Sequence, residues 1–272
     1  MGNRFALLAA AVALTGCATT DFDDPEHVRT WATTASALSV YSRVHDPIAF
    51  ADGESPFPDA DCPMWTDDGV IATLEGGCVT DEGERYAGMV TIIRDIDGNR
   101  DAFFSGWGKG RDGVDPATGE VHIRELAEDD HEFDIVLSID ALAPLTIDYS
   151  GRVEGYYREA TTWNGEGTVR RESFSPAGLA HAVTVDQVRD GDVCGNQPAS
   201  GQTTIEVDDQ TLVVTYDGAT DCDEGQAAAY SVNGVDRGWI DGIGCRTAPG
   251  PGGSPAWLLL LVAAGLRLRV RR

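Results

Sequence analysis

The side chains with the clearest potential for chemistry are the oxygen-bearing residues of one short acidic segment. Asp95, Asp97, Asn99 and Asp101 alternate with other residues around Gly98. Alternate oxygen ligands in a tight loop can wrap a hard cation such as calcium. The glycine stands fourth, however, and not sixth as in an EF-hand loop, and no glutamate follows at the twelfth position. The segment therefore predicts either a calcium site or a plain hairpin turn at Asp97-Gly98.

Catalytic motifs are absent from the sequence. The histidines do not form His-Glu-x-x-His, no Gly-x-Ser-x-Gly elbow occurs, and the glycine-rich stretch 106–110 lacks the spacing of a phosphate loop. Adjacent acidic residues such as Asp129-Asp130 are expected to be solvated carboxylates of an acid-rich chain and not a catalytic pair. We therefore expect no catalytic residue and no cofactor other than calcium, and we favour a role that is not enzymatic. The alternative is a hydrolase whose histidine meets Ser, Asp or Glu from a distant strand. The histidines are His27, His45, His122, His131 and His181.

Charge excludes one class of partner. The chain has 20 Lys and Arg against 45 Asp and Glu, which gives a formal net charge of −25. Binding to nucleic acid needs a basic face that neutralises phosphates. Nucleic acid is therefore excluded as a partner, and the acidic surface favours solubility and the attraction of cations. The sequence does not identify a binding partner.

Four cysteines of the central region form an even set. Cys62, Cys78, Cys194 and Cys222 allow three disulfide pairings in an oxidising compartment. We expect Cys62 to pair with Cys78 and Cys194 with Cys222, because each pair brackets one hairpin-like segment. The rival interpretation is a zinc site, which would need closely spaced ligands such as Cys-x2-Cys, and that spacing does not occur.

The N-terminal segment has the pattern of an export signal. Arg4 precedes an apolar run at residues 5–14, which is too short for a permanent membrane span. The run ends in Leu14-Thr15-Gly16-Cys17, which resembles the bacterial lipobox. The resemblance implies that lipoprotein-processing enzymes acylate Cys17, with fatty acids such as palmitate, and cleave before it. Because Ala18 and not Asp follows, it also implies the outer membrane. An ordinary signal peptide is the alternative.

The C-terminal segment carries a second membrane signal. Cys245 is followed by a Gly/Pro spacer at residues 246–255, an apolar stretch at 256–266 and four terminal arginines. The apolar stretch is short for a span, and the arginines should hold the C-terminus in the cytoplasm. The segment resembles the MYXO-CTERM sorting tag, which implies processing at Cys245 by a myxosortase-type protease and display on the cell surface. A plain C-terminal anchor is the alternative.

The region between these signals predicts one helix followed by strands. Asp24-Pro25-Glu26 has the pattern of a helix N-terminus, and an apolar stripe predicts a helix over residues 25–44. From Cys62 onward the hydrophobic period changes to two, with hairpin signals at Asp97-Gly98 and Asn233-Gly234. The link between the helix and Cys62, with several Pro and Gly, is expected to be irregular.

One long strand is predicted at residues 145–158. Its alternation places Tyr157 on the inward face and Tyr156 on the outward face. A three-residue turn at 159–161 would then place Tyr157 opposite Trp163, Gly151 opposite Val169 and Val153 opposite Gly167. Large side chains over glycines are one way to pack a strongly curved sheet.

These features predict a mainly β protein: a curved antiparallel meander, as an open sheet or a partial barrel, with one amphipathic N-terminal helix docked on it. The predicted segments are a signal peptide at 1–16, a tether at 17–24, the helix and β-body at 25–190, a β-segment at 191–245 that belongs to a second or to the same domain, and the sorting tail at 246–272. We predict a non-catalytic, lipid-anchored envelope component or extracellular binding module. The alternatives are a surface-tethered hydrolase and a calcium-dependent adhesion module.

Overall fold

The protein forms one open antiparallel sheet in which almost every strand pairs with its neighbours in sequence. The computed structural model describes residues 20–38, 47–52, 61–110, 115–140, 144–156, 158, 160–172, 177–190, 198–217 and 228–240. Within them the sheet has 14 strands, and its first and last strands are not paired with each other. The expected antiparallel meander is confirmed in its open form. The strands are β1 Met64–Asp67, β2 Ile71–Glu75, β3 Cys78–Val79, β4 Arg85–Arg94, β5 Arg100–Gly110, β6 Ala117–Ala127, β7 Asp130–Ile139, β8 Leu145–Glu154, β9 Ala160–Arg171, β10 Gly178–Asp190, β11 Pro198–Val207, β12 Gln210–Asp217, β13 Ala228–Val232 and β14 Val235–Ile240.

The alternation of side chains divides the sheet into a buried and an exposed face. In β7 the residues from His131 to Ile139 alternate strictly between buried and exposed positions. Successive side chains of a strand point to opposite faces, so period two buries one whole row. The short strand β3 pairs only with the start of β4, and all other strands lie on one path from β1 to β14. The pairing of β10 with β11 carries the sheet without a break past residue 190.

Two helices cover the buried face. Helix α1, Pro25–Ala37, begins after the N-cap Asp24, whose side chain accepts a hydrogen bond from the Glu26 N–H, with proline at the first helical position. It packs mainly against β11. Its predicted extension to residue 44 lies partly outside the described residues. The buried residues of α1 and its C-cap are Val28, Trp31, Ala32, Ala35 and Leu38.

A second helix was not predicted. Helix α2, Pro47–Ala51, lies in the segment that the sequence predicted as an irregular link, and it packs against β4. Ile48 and Phe50 are buried, so a short helix forms where two apolar residues reach the core. Tertiary burial here overrides the turn signal of the preceding Asp-Pro pair. No helix of the described ranges is long and apolar enough to cross a membrane.

The hairpin turns predicted at Asp97-Gly98 and Asn233-Gly234 are present, and the turns of the sheet lie at two ends. Turns 95–99 and 128–129 lie at one end, which we call the His131 end, and turns 208–209 and 233–234 lie at the other, the Thr20 end. Asn233 has φ 51° and Gly234 has φ 76°. A two-residue hairpin loop of this kind needs positive φ at both positions, which Asn-Gly tolerates.

The predicted register of β8 and β9 is wrong. Val153 lies opposite Trp163, Tyr149 opposite Gly167 and Gly151 opposite Gly165. The prediction assumed that β8 continues to residue 158, whereas the strand ends at Glu154. The connection is therefore longer than three residues, and the register changes with it. The packing of a large side chain over a glycine does occur, but the pair is Tyr149 and Gly167.

The predicted outward orientation of Tyr156 is also wrong. Gly155 adopts φ 75°, which breaks the alternation after Glu154. Tyr156 turns back beneath the end of the sheet and is 1% exposed. Strand parity predicts the face of a residue only while the strand continues, and this glycine ends it.

One of the two predicted disulfides lies in the described part of the chain and is confirmed. Cys62 and Cys78 are bonded, with a Cα–Cα distance of 5.8 Å. The bond joins the start of β1 to β3 and so closes the first hairpin of the sheet. Cys194 and Cys222 lie outside the described residues, and their pairing stays a prediction.

Removal of this disulfide by Cys62→Ala/Cys78→Ala should lower the free energy of unfolding by about 3 kcal/mol, because the bond closes a loop of about 15 residues in the unfolded chain. The double variant leaves no free thiol at the site. Denaturant unfolding of both proteins measures the difference. Thr66→Ala, an exposed change on β1, is the matched control. A loss no larger than that of the control would contradict a stabilising role.

Candidate functional site

A groove lies across the exposed face of the sheet, over strands β7 to β10. Its volume is about 620 Å³. That volume is within the range of sites that bind small molecules, although most of those sites are more apolar. Polar side chains from neighbouring strands line it, because every second residue of each strand points to this face. The polar residues of the groove are Glu132, Asp134, Ser150, Arg152, Asn164 and Glu166.

Two glycines form the floor of the groove. Gly151 of β8 lies directly opposite Gly165 of β9. A Cβ atom on Gly151 would overlap the carbonyl oxygen of Asn164, and one on Gly165 would lie 2.6 Å from the carbonyl oxygen of Ser150. Glycine is therefore required at both positions because the two backbones approach closely.

A bulge in β10 shapes the wall beside these glycines. The pairing of β10 with β9 shifts register between Thr184 and Gln187, and Asp186 has φ 47°. The Asn164 side-chain oxygen accepts a hydrogen bond of 2.8 Å from the Asp186 N–H. This bond holds a residue with positive φ, and it orients Asn164 at the groove.

Charge in the groove is mainly negative. Arg152 is the one cation among the described residues that line it, and it donates from Nε to Asp130 Oδ1 at 2.6 Å and from Nη2 to Asp130 Oδ2 at 2.5 Å. This fork raises the pKa of Arg152 and offsets its charge. The carboxylates of Glu132, Asp134 and Glu166 then dominate the field. The groove therefore favours a ligand that carries positive charge and hydrogen-bond donors.

Beneath the His131 end lies a buried polar centre. The Arg100 Nε donates to Asp52 Oδ1 at 2.7 Å, and both side chains are at most 10% exposed. The Arg100 Nη1 also donates to the Gly98 carbonyl at 2.7 Å. This ion pair ties α2 to the first residue of β5. A buried pair of this kind is costly to break, because one charge would be left unpaired in the interior.

His131 belongs to the same centre. Its side chain is fully buried, and its ring centroid lies 4.5 Å from that of Tyr156. Burial lowers the pKa of His131, and the positive charge of Arg100 lowers it further. The imidazole is therefore neutral at physiological pH and has no access to a ligand in the groove.

A second set of buried hydroxyl groups lies deeper in the core, beneath β8 to β12. Tyr149 Oη is hydrogen-bonded to Thr184 Oγ1. Thr203 Oγ1 accepts from Gln187 Nε2 at 3.1 Å and contacts Tyr216 Oη at 3.3 Å. Burial raises the pKa of Tyr149 to about 12 and also raises that of Tyr216. These phenols stay neutral, and their partners satisfy polar groups that burial would otherwise penalise.

The predicted calcium ligands do not converge in the described structure. Asp95 accepts from the N–H groups of Asp97 and Asn99 and from the Asn99 side chain, at 2.7 to 2.9 Å. These bonds lower the pKa of Asp95. Asp101 points to β6, where His122 Nδ1 lies 2.7 Å away. Within the described ranges, no three His, Cys, Asp or Glu side chains are arranged to hold a metal ion. Calcium binding stays a prediction.

Exposed histidines lie beside carboxylates. His122 lies between Asp101 and Glu120, at 2.7 and 3.6 Å, and its ring meets the edge of Phe103. His181 lies 3.9 Å from Glu206. His122 with Asp101 and His181 with Glu206 are cross-strand neighbours, which is the ordinary setting for complementary charges on a sheet, and Glu120 lies on the same strand as His122. His45 lies outside the described residues, as do Cys17 and Cys245.

The sequence predicted neither the groove nor the buried polar centre. The signal for His131 was present, because it stands in the same parity as the apolar residues of β7. Asp52 and Arg100 carried no such signal, since 48 residues separate them. The groove depends on the register of β8 with β9, which the sequence prediction placed wrongly.

His131→Phe should flatten the dependence of stability on pH. The unfolded imidazole titrates near about 6.5, and the folded pKa is lower. Between these two values the unfolded state binds the extra proton. Neutral His131 therefore contributes its full stabilisation of the fold above the pKa of the unfolded imidazole. This contribution is lost as the pH falls through the pKa of His131 in the folded state. Unfolding in denaturant across the range measures this loss.

The matched control is His181→Gln, which changes an exposed histidine. The control should keep the slope of the wild type, and His131→Phe should have a shallower one. Equal slopes for all three proteins would contradict the burial effect at His131.

Comparison with known proteins provides no family for the chain. No family model matches it, and no curated protein or solved structure matches it significantly. Function therefore has to be inferred from the geometry of the groove and the segments that flank the sheet.

Proposed function

We propose that the protein is a non-catalytic binding module that is held at the bacterial surface by a lipid on Cys17. The observation that carries the proposal is the groove over β7 to β10, which is floored by backbone and lined by polar side chains. A groove of this kind offers hydrogen-bond acceptors from several strands at fixed spacing. Such a surface binds a ligand without needing a nucleophile or a general base.

The chemistry of the groove selects the ligand class. The carboxylates of Asp134 and Glu166 are acceptors, Asn164 and Ser150 both accept and donate, and Arg152 is neutralised by Asp130. Amines and hydroxyl groups are the matching donors. We infer a cationic, hydroxyl-rich ligand such as an amino-sugar oligomer of the extracellular matrix. The net charge of −25 favours the same sign of ligand at long range.

The geometry favours binding over hydrolysis. Hydrolysis by the alternative mechanism needs a histidine that reaches a ligand, and His131, which precedes the groove residue Glu132, is buried against Tyr156. Its lowered pKa keeps it neutral and its position keeps it away from solvent. The groove carboxylates lie on an open face of the sheet, where they suit the recognition of a cation.

The binding test titrates glucosamine oligomers into the full chain. Spermidine, an amine that lacks hydroxyl groups, is titrated for comparison. Calorimetry should detect saturable binding of the oligomers. Asp134→Asn/Glu166→Gln should weaken it about tenfold or more, since a hydrogen bond to a charged group is worth about 1.5–3 kcal/mol. Glu206→Gln, an exposed glutamate on β11 outside the groove, is the matched control and should bind as the wild type does. No binding of oligomers by the wild type, or equal loss in the control, would overturn the ligand class.

Anchoring is supported by the lipobox-like Leu14-Thr15-Gly16-Cys17 and by the MYXO-CTERM-like segment after Cys245. The intact mass of protein extracted from native membranes tests both. We expect a chain that starts at diacylglyceryl-modified Cys17 and ends near Cys245. A mass that retains Trp257 would reduce the tail to a simple anchor, and an unmodified N-terminus would contradict the lipid anchor.

A further inference from the structure

We propose that the Thr20 end of the sheet faces the lipid bilayer and that the His131 end faces away from it. The inference rests on the proposed lipid at Cys17. It assigns a membrane-facing surface to one end of the fold, formed by the segment 20–24 with turns 208–209 and 233–234.

The chain just after the lipid site is fixed to the Thr20 end. The Phe22 N–H donates to Gln210 Oε1 at 3.0 Å, and Gln210 Nε2 donates to the Thr20 carbonyl at 2.8 Å. The Trp31 Nε1 donates to Thr20 Oγ1 at 3.1 Å. Gln210 is the first residue of β12, next to turn 208–209. Thr20 is therefore held where the turns of this end emerge.

Further contacts hold the same segment over its length. The Phe22 side chain is 2% exposed, and Arg237 of β14 pairs with Asp23 at 2.7 Å. The Asp21 N–H donates to His27 Nδ1 at 3.0 Å. Apolar burial and hydrogen bonds act together here, so the segment belongs to the folded body and does not act as a free linker.

The remaining tether is short. Only Ala18 and Thr19 stand between Cys17 and Thr20. Three residue steps span at most about 11 Å even when fully extended. A lipid on Cys17 inserts its acyl chains in the bilayer, so the Thr20 end has to stay within about that distance of the head groups.

The opposite end is far from this point. Strand β10 has 13 residues and runs from the Thr20 end to the His131 end. At about 3.3 Å per residue it is about 40 Å long. The bidentate pair of Arg152 with Asp130 marks the part of the groove that is nearest to the His131 end. The groove includes Val183 and Thr184 near the middle of β10, so an upright molecule holds it roughly 20 Å beyond the Thr20 end.

Charge keeps the protein from lying flat on the membrane. The Thr20 end carries Asp208 and Asp209 in one turn, and the exposed face carries the groove carboxylates. Anionic head groups repel both surfaces. The tether thus supplies the attachment, and repulsion acts on these acidic surfaces. The exposed face is held off the membrane, and its groove stays open to ligand.

Energy transfer to a labelled bilayer tests the orientation. The lipidated protein carries a donor dye on an azido amino acid at position 209 or at position 96, and vesicles of phosphatidylcholine with anionic phosphatidylglycerol contain a rhodamine-labelled lipid acceptor. Asp209 lies in a turn of the Thr20 end, and Ile96 is fully exposed in a turn of the His131 end. We expect transfer from position 209 to exceed that from position 96 severalfold.

A flexible Gly/Ser linker inserted between Ala18 and Thr19 is the control, and it should reduce the difference. Equal transfer from both positions, or stronger transfer from position 96, in protein whose mass shows a lipidated Cys17 would overturn the orientation and leave the anchor intact. A mass without lipid, with no binding to vesicles, would overturn the anchor and the orientation together. The measured mass therefore distinguishes a wrong orientation from a missing lipid anchor.

Discussion

Every other feature of the molecule depends on the need to cover one face of a long open sheet. A sheet of 14 strands buries a continuous apolar row on one side, and that row needs a partner layer. The chain supplies it with α1 and α2, which place Trp31, Leu38 and Ile48 against the strands. Arg171 completes the contact from the sheet side, since its guanidinium lies 5.9 Å from the centre of the Trp31 ring and donates to Thr34 Oγ1 at 2.8 Å.

This covering layer also connects the two ends of the fold. The segment before α1 is fixed at the Thr20 end by Gln210, and α2 is followed by Asp52, which pairs with Arg100 at the His131 end. The N-terminal region therefore crosses the buried face from one end to the other. The start of this region, at Thr20, determines which end of the fold a lipid on Cys17 would keep near the membrane. Its end, at Asp52, contributes to the buried polar centre that contains His131.

The exposed face has a different origin. Because the other face of the sheet packs in the core, a ligand can be recognised only by the outward side chains and by backbone that no side chain covers. The glycine pair Gly151 and Gly165 provides such a place, because neither residue has a side chain and the two backbones approach closely. The bulge at Asp186 and the fork between Arg152 and Asp130 then set the shape and charge of the groove. A binding role accounts for these features together.

Local patterns in the sequence determined the helix start at Asp24-Pro25, the turns at Asp97-Gly98 and Asn233-Gly234, the inward row of β7 and the pairing of Cys62 with Cys78. Each depends on neighbours in the chain, through capping, positive φ, period two or a short loop. Only the tertiary structure decided the register of β8 with β9, the burial of Tyr156, the helix at 47–51, the Asp52–Arg100 pair and hence the groove. These depend on where a strand stops and on contacts between distant segments, for which a local pattern carries no information.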